Sequence, residues 1–225
     1  MKEQIYNIVF LLAAVAYFVP ALIVVLKKLY RDRIVSLFAI YWTIGGIINI
    51  ADKIPGLNTS ARDLLLVGYN LLDIPLVLFI FYYSTSSALL KKFIIIAGSG
   101  FVAIEIIHCV VKGMNYYDSG YVMGLGVLIT LIVIGWEISR YVSKMEHSSR
   151  EKAMIFIYAA MLFEYGSYVI VYIFEFYFDK KTNIDNLLIY YASAVIGVAI
   201  ASVGFLSRHL KDTQRQQRWD RALSN

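Results

Sequence analysis

Charge is scarce in this chain of 225 residues: only 16% are Asp, Glu, Lys or Arg, while 60% are apolar. Water-soluble domains carry about 25% charged and about 45–50% apolar residues. With a mean hydropathy of +0.66, the surplus apolar surface must face something other than water. Proline is nearly absent as well, with three in the chain, so little interrupts long helices. The single cysteine, Cys109, excludes an intramolecular disulfide framework and any multi-cysteine metal centre. Histidine occurs three times, at positions 108, 147 and 209, which is too few and too scattered for a multi-histidine metal centre.

What the chain does have is long apolar runs. A helix crosses a bilayer with roughly 20 predominantly apolar residues, because the hydrocarbon core is about 30 Å thick and each residue rises about 1.5 Å. Seven runs satisfy this, at about 6–26, 34–51, 64–84, 93–111, 119–139, 153–177 and 187–207. The expected fold class is therefore all-α: an integral membrane bundle of seven transmembrane helices occupying 1–207, followed by a basic tail at 208–225. The first run is long enough to span and continues through Pro20 into Lys27 and Lys28 without a cleavage site, so it reads as a helix and not as a signal peptide. The lipid bilayer is the first partner implied, in a multi-pass protein of the cell or inner membrane.

Lys and Arg are distributed unevenly between the two sides. One side carries Lys27, Lys28, Arg31, Arg33, Lys91, Lys92, Arg140, Lys144, Arg150, Lys152, Arg208, Lys211, Arg215, Arg218 and Arg221, and the other only Lys2, Lys53, Arg62, Lys112, Lys180 and Lys181. Cytoplasmic loops are enriched in both residues, so the N-terminus is expected outside and the C-terminus in the cytoplasm. The net charge of +5 is then an orientation signal, and no nucleic-acid role follows from it. The basic face and tail suit anionic headgroups or a cytoplasmic or inner-membrane protein partner.

Aromatic pairs such as Tyr82-Tyr83, Tyr116-Tyr117 and Tyr190-Tyr191 read as interfacial belts. Among the 18 tyrosines some should also point inward as hydrogen-bond donors. Gly45-Gly46, Gly98, Gly100, Gly120, Gly124, Gly197 and Gly204 read as small residues at close helix contacts.

Ionisable residues inside a spanning segment are costly and mark function by default. Asp73 lies near the middle of the third span, with Asn70 on the same helical face and Pro75 beside it. The fourth span carries Glu105 and His108 at a spacing that lets them pair on one face. This is half of a di-iron motif whose other half is missing. The sixth span contributes Glu164, followed by Tyr165, and Glu175 near its outer end. Glu137, at the cytoplasmic border beside Trp136, has Arg140 at i+3 as an ordinary interfacial partner. Asn49 and Asp52 sit where loop solvent reaches them.

Asp73, Glu105 and Glu164 lie at or outward of the midplane, yet every Lys and Arg lies at a helix end or in a loop. Such acids are protonated, bind a cation or amine, or are hydrated from a cavity. The expectation is an outward-facing acidic pocket between the third, fourth and sixth spans, lined by Asp73, Asn70, Glu105, His108, Glu164 and Tyr165. The leading function is a non-enzymatic, receptor-like sensor that takes a small ligand, cation or proton there and signals to a partner at the basic face. One alternative is a proton-coupled transporter with the three acids as relay groups. The other is an intramembrane lipid-modifying enzyme in which Asp73 and Glu164, or Glu105 and His108, act as acid and base. No nucleophile stands beside a base, which disfavours catalysis.

The plan of seven helices resembles the microbial rhodopsins, and two segments extend the likeness. NLLDIPLVLF places an Asp near a Pro in the third span. YYASAVIGVAI is similar to the rhodopsin segment Ser-Ala-Lys-Val-Gly, with Ser193, Ala194, Ile196 and Gly197 matching and Val195 at the lysine position. The resemblance implies the rhodopsin-like topology. Because that lysine holds retinal as a Schiff base and the seventh span has no lysine, no covalent retinal is expected and no other cofactor is implied. The multi-histidine pattern of membrane hydrolases related to alkaline ceramidases is absent.

Overall fold

The computed structural model describes residues 2–51, 58–113, 120–174, 184–208 and 210. Eight α-helices follow one another: α1 (Lys2–Ala16), α2 (Val19–Leu26), α3 (Arg33–Ala51), α4 (Thr59–Ser84), α5 (Ala88–Lys112), α6 (Gly120–Val142), α7 (Ser149–Tyr172) and α8 (Ile184–Leu206). No strand occurs among the described residues. Taking α1 and α2 as one segment, seven helices are long and apolar enough to cross a membrane, which makes this a multi-pass membrane protein. Side chains such as Leu11, Val25, Leu72, Ile96, Val110 and Tyr121 are more than half exposed, a disposition that suits lipid and not water.

The first span is not one helix, contrary to the uninterrupted run expected from the sequence. Pro20 has no N–H to donate to the carbonyl one turn back. The chain adjusts with a tighter bond from Phe18 N to the Val15 carbonyl before Leu22 N returns to the Phe18 carbonyl. Pro75 behaves differently, and α4 continues through it unbroken.

Helix packing follows chain order. α2 lies on α3, α3 on α4, α4 on α5 and α6, α6 on α7, and α7 on α8, while α8 returns to α1 and α2 and closes the ring. Glycine sets the distance at two of these seams. A Cβ on Gly204 would sit 2.7 Å from the Ala153 carbonyl oxygen, and one on Gly46 would sit 2.7 Å from Cβ of Tyr17, so α8 meets α7 and α3 meets the first span almost backbone to backbone. Gly100, expected at a contact, has nothing within 4 Å of such a Cβ.

The end of the bundle that carries Leu26, Ser84, Val142 and Leu206 is tied by polar bonds. Asp32 caps α3, accepting from Ile34 N at 3.0 Å and Val35 N at 3.3 Å, and also receives Arg150 of α7 at 3.3 Å. Ser148 and Glu151 form a reciprocal capping box at the start of α7. Replacing Ser148 by Ala removes an acceptor for orphan N–H groups and should cost about 1 kcal/mol. Thermal denaturation in detergent measures this, and Ser148→Asp should restore the parent midpoint.

Candidate functional site

The buried polar cluster begins on α3 with a pair of large side chains, Tyr41 and Trp42, in an otherwise apolar turn. Trp42 is fully buried, and a buried indole N–H needs an acceptor. It finds one across the bundle: Nε1 of Trp42 donates to both carboxylate oxygens of Glu164 on α7, each at 3.0 Å. Glu164 is itself fully buried. Its side chain lies against Gly197 of α8, where a Cβ would come within 2.5 Å of Glu164 Cγ. The Trp42 ring continues onto Phe205 of α8, at 6.0 Å between centroids.

One residue along both helices, a second link repeats the pattern. The Tyr165 hydroxyl donates to Oδ2 of Asp73 on α4 at 2.7 Å and accepts from the Tyr41 hydroxyl at 3.3 Å. Asp73 is 9% exposed. The hydroxyls of Tyr41 and Tyr69 also approach its carboxyl group, yet Oδ1 is buried with no hydrogen-bond partner. Two carboxyl groups are thus suspended in one core by indole and phenol donors, and no Lys or Arg pairs with either among the described residues. Beyond them lies a second layer in which the Tyr190 hydroxyl is close to Asn49, Tyr17 and Tyr168, with Tyr168 and Tyr190 stacked at 5.3 Å.

The acids expected to share one pocket are therefore divided. Asp73, Glu164 and Tyr165 come together as buried side chains of one core, and the outer ends of their spans run into residues outside the described ones. Glu105 stands apart on α5. It is 5% exposed, but no described hydrogen bond or ion pair involves it. Gly98 faces Leu78, and Phe101 and Ile74 both face Gly126; continuing this antiparallel register sets Glu105 level with residues 70–71, on the α4, α5 and α6 side. His108 does not pair with Glu105, and its buried Nε2 has no partner. The backbone of Asn70 belongs to α4, while its side chain, like residues 52–57 and 175–183, lies outside the described residues.

Glu137 meets the expectation of an interfacial pair, with Arg140 at 2.9 Å. The tyrosine belt needs correction at Tyr191, which is 4% exposed and packs edge-on against Phe10 of α1 at 5.2 Å. Trp42 and Tyr41 are members of the buried cluster that the pattern of acids alone does not single out. A signal is present in the sequence: an indole and a phenol in mid-span need acceptors, and the acids Glu164 and Asp73 offer strong ones.

Among the described residues, no three His, Cys, Asp or Glu side chains are grouped to hold a metal ion. The fold and the cluster together define a helical membrane bundle with a buried pair of carboxyl groups. Compared with known proteins, the chain matches no family model, no characterised protein and no solved structure.

Proposed function

We propose that this protein is a non-enzymatic membrane sensor in which Asp73 and Glu164 gain and lose a proton or a small cation, and the resulting movement of helices is read by a partner at the basic face. The observation that carries the reading is the pair itself: two buried carboxyl groups in one hydrogen-bonded core, held by neutral donors, with Asp73 Oδ1 left unpartnered. An isolated buried charge is expensive, so each carboxyl group favours a neutral or cation-paired form. A change of that form alters bonds among four helices at once. Trp42 and Tyr41 belong to α3, Asp73 to α4, Glu164 and Tyr165 to α7, and Glu164 presses on α8 at Gly197.

The asymmetry of Lys and Arg orients the bundle with its N-terminus outside, in a cell or inner membrane. The rhodopsin-like arrangement belongs to this proposal too, with Val195 in place of the retinal lysine and no covalent chromophore. Among the function classes weighed, a sensor needs the least from the site, since neither a nucleophile nor a through-going path is required of it.

The test is a thermal-shift series on detergent-purified protein against pH and against monovalent and divalent cations, with Asp73→Asn and Glu164→Gln in parallel. Both variants should stay folded, because each puts an uncharged amide of the same shape in place of the carboxyl group. They should also lose the pH or cation response of the parent, since only the folded form binds. A response unchanged in both variants rejects the site. Counterflow uptake in proteoliposomes addresses transport: accumulation abolished by the same substitutions would replace the sensor with a carrier.

A further inference from the structure

The basic end of the bundle contains a cavity that the carboxyl cluster does not use. It has a volume of about 210 Å³ and is lined by Ser84, Ser86, Arg140, Lys144, Ser148 and Arg150, with Glu137, Glu151 and Tyr158 among the remaining wall residues. Water occupies roughly 30 Å³ per molecule in the liquid, so a phosphate group fits. Three cationic side chains from two helices and the loop between them converge on one space.

Each cation is held in place without being used up. Arg140 donates through Nη1 to Glu137 at 2.9 Å and Thr85 at 3.2 Å, and through Nη2 to Ser86 at 3.0 Å. Arg150 donates through Nε and Nη2 to Asp32, both at 3.3 Å. Lys144 pairs with Glu151. A guanidinium or ammonium group has more N–H donors than these bonds engage. The acids are engaged elsewhere as well: Glu137 accepts from Thr85, Glu151 from Ser148, and Asp32 from the backbone at the start of α3. The cations are therefore oriented by acids whose own charge is shared with hydroxyl and amide donors.

A second hollow, of about 560 Å³, shares Arg140 and Lys144 with the first and continues along α6 past Ser139 and Trp136 to Gly135 and Ile132. It changes from basic to apolar in the direction of the bilayer interior. We propose that this composite hollow binds a phosphate group, supplied by the headgroup of an anionic phospholipid whose glycerol and acyl portions follow the groove on α6. Arg140, Lys144 and Arg150 contact the phosphate oxygens through charge-assisted hydrogen bonds, and Ser84 and Ser86 supply hydroxyl donors. The site is independent of Asp73 and Glu164.

The experiment reconstitutes the full chain in nanodiscs of phosphatidylcholine, with and without phosphatidylglycerol, and measures lipid retention by native mass spectrometry together with the thermal midpoint. Inorganic phosphate added to the phosphatidylcholine discs is the second arm. Phosphatidylglycerol should raise the midpoint and remain bound. Lys144→Gln, which alters a partly exposed pair, and Arg140→Gln should each weaken that binding roughly tenfold or more, as expected for loss of a charge-assisted contact. Lys91→Gln with Lys92→Gln, which removes charge outside the hollow, should leave it unchanged. A midpoint shift with inorganic phosphate alone, lost in the same variants, supports the phosphate site and assigns it to a soluble phosphate. Equal losses in the Lys91 and Lys92 control overturn the proposal in favour of diffuse surface attraction. Retention of full binding in Lys144→Gln and Arg140→Gln, or no binding by the parent, overturns it outright.

Discussion

Trp42→Phe should be among the most destabilising single substitutions in the chain. Phenylalanine keeps most of the ring packing against Phe38 and Phe205 but removes the only described donor to a fully buried carboxyl group. Leaving such an acceptor unsatisfied costs about 3 kcal/mol, which corresponds to a drop in thermal midpoint of roughly 6–12 °C for a chain of this size. Glu164→Gln should cost far less, because its amide retains an oxygen for the indole N–H and presents no charge. The double variant measures the coupling: if Trp42 acts by satisfying Glu164, the two effects are non-additive by more than about 1 kcal/mol. Additive effects would show that Trp42 contributes packing alone.

Gly204→Val should have an effect as large, by a different route. At this glycine even a Cβ would lie 2.7 Å from a backbone oxygen, that of Ala153, and within 3.2 Å of side-chain atoms of Ile157 and Phe156. A carbonyl on a neighbouring helix cannot rotate aside as a side chain does, so α7 and α8 must separate. Forcing extra methyl groups into such a seam costs about 1–3 kcal/mol or more, and separation would also disturb Glu164 against Gly197 on the same two helices. The expected result is a lower yield of folded protein in detergent and a depressed thermal midpoint. Gly100→Ala is the control. With open space around it, the gain in helix propensity of up to about 1 kcal/mol should leave stability unchanged or improved. Equal behaviour of the two variants would show that the α7–α8 seam tolerates separation.

The two largest effects fall on residues whose partners are remote in sequence. Glu164 was legible as an anomaly, a carboxyl group in an apolar span, yet nothing local indicated that Trp42 would meet it. Glu105 was equally anomalous by the same criterion and does not join the cluster. Pro20 and Pro75 make the same point for the backbone: identical chemistry breaks the first span and leaves α4 continuous.

Composition and the lengths of the apolar runs determined by themselves that the chain is a helical membrane bundle with seven spans, because the cost of exposing apolar surface and unpaired backbone groups depends on local sequence alone. They also determined which residues are out of place in lipid. Which of these residues meet was decided only by the tertiary structure. The rotation of each helix and the close approach permitted at Gly46, Gly197 and Gly204 bring Asp73 to Tyr165 and Glu164 to Trp42, and leave Glu105 on another face. Helix rotation depends on the fit of all neighbouring surfaces together, and the pattern of any one span does not contain it.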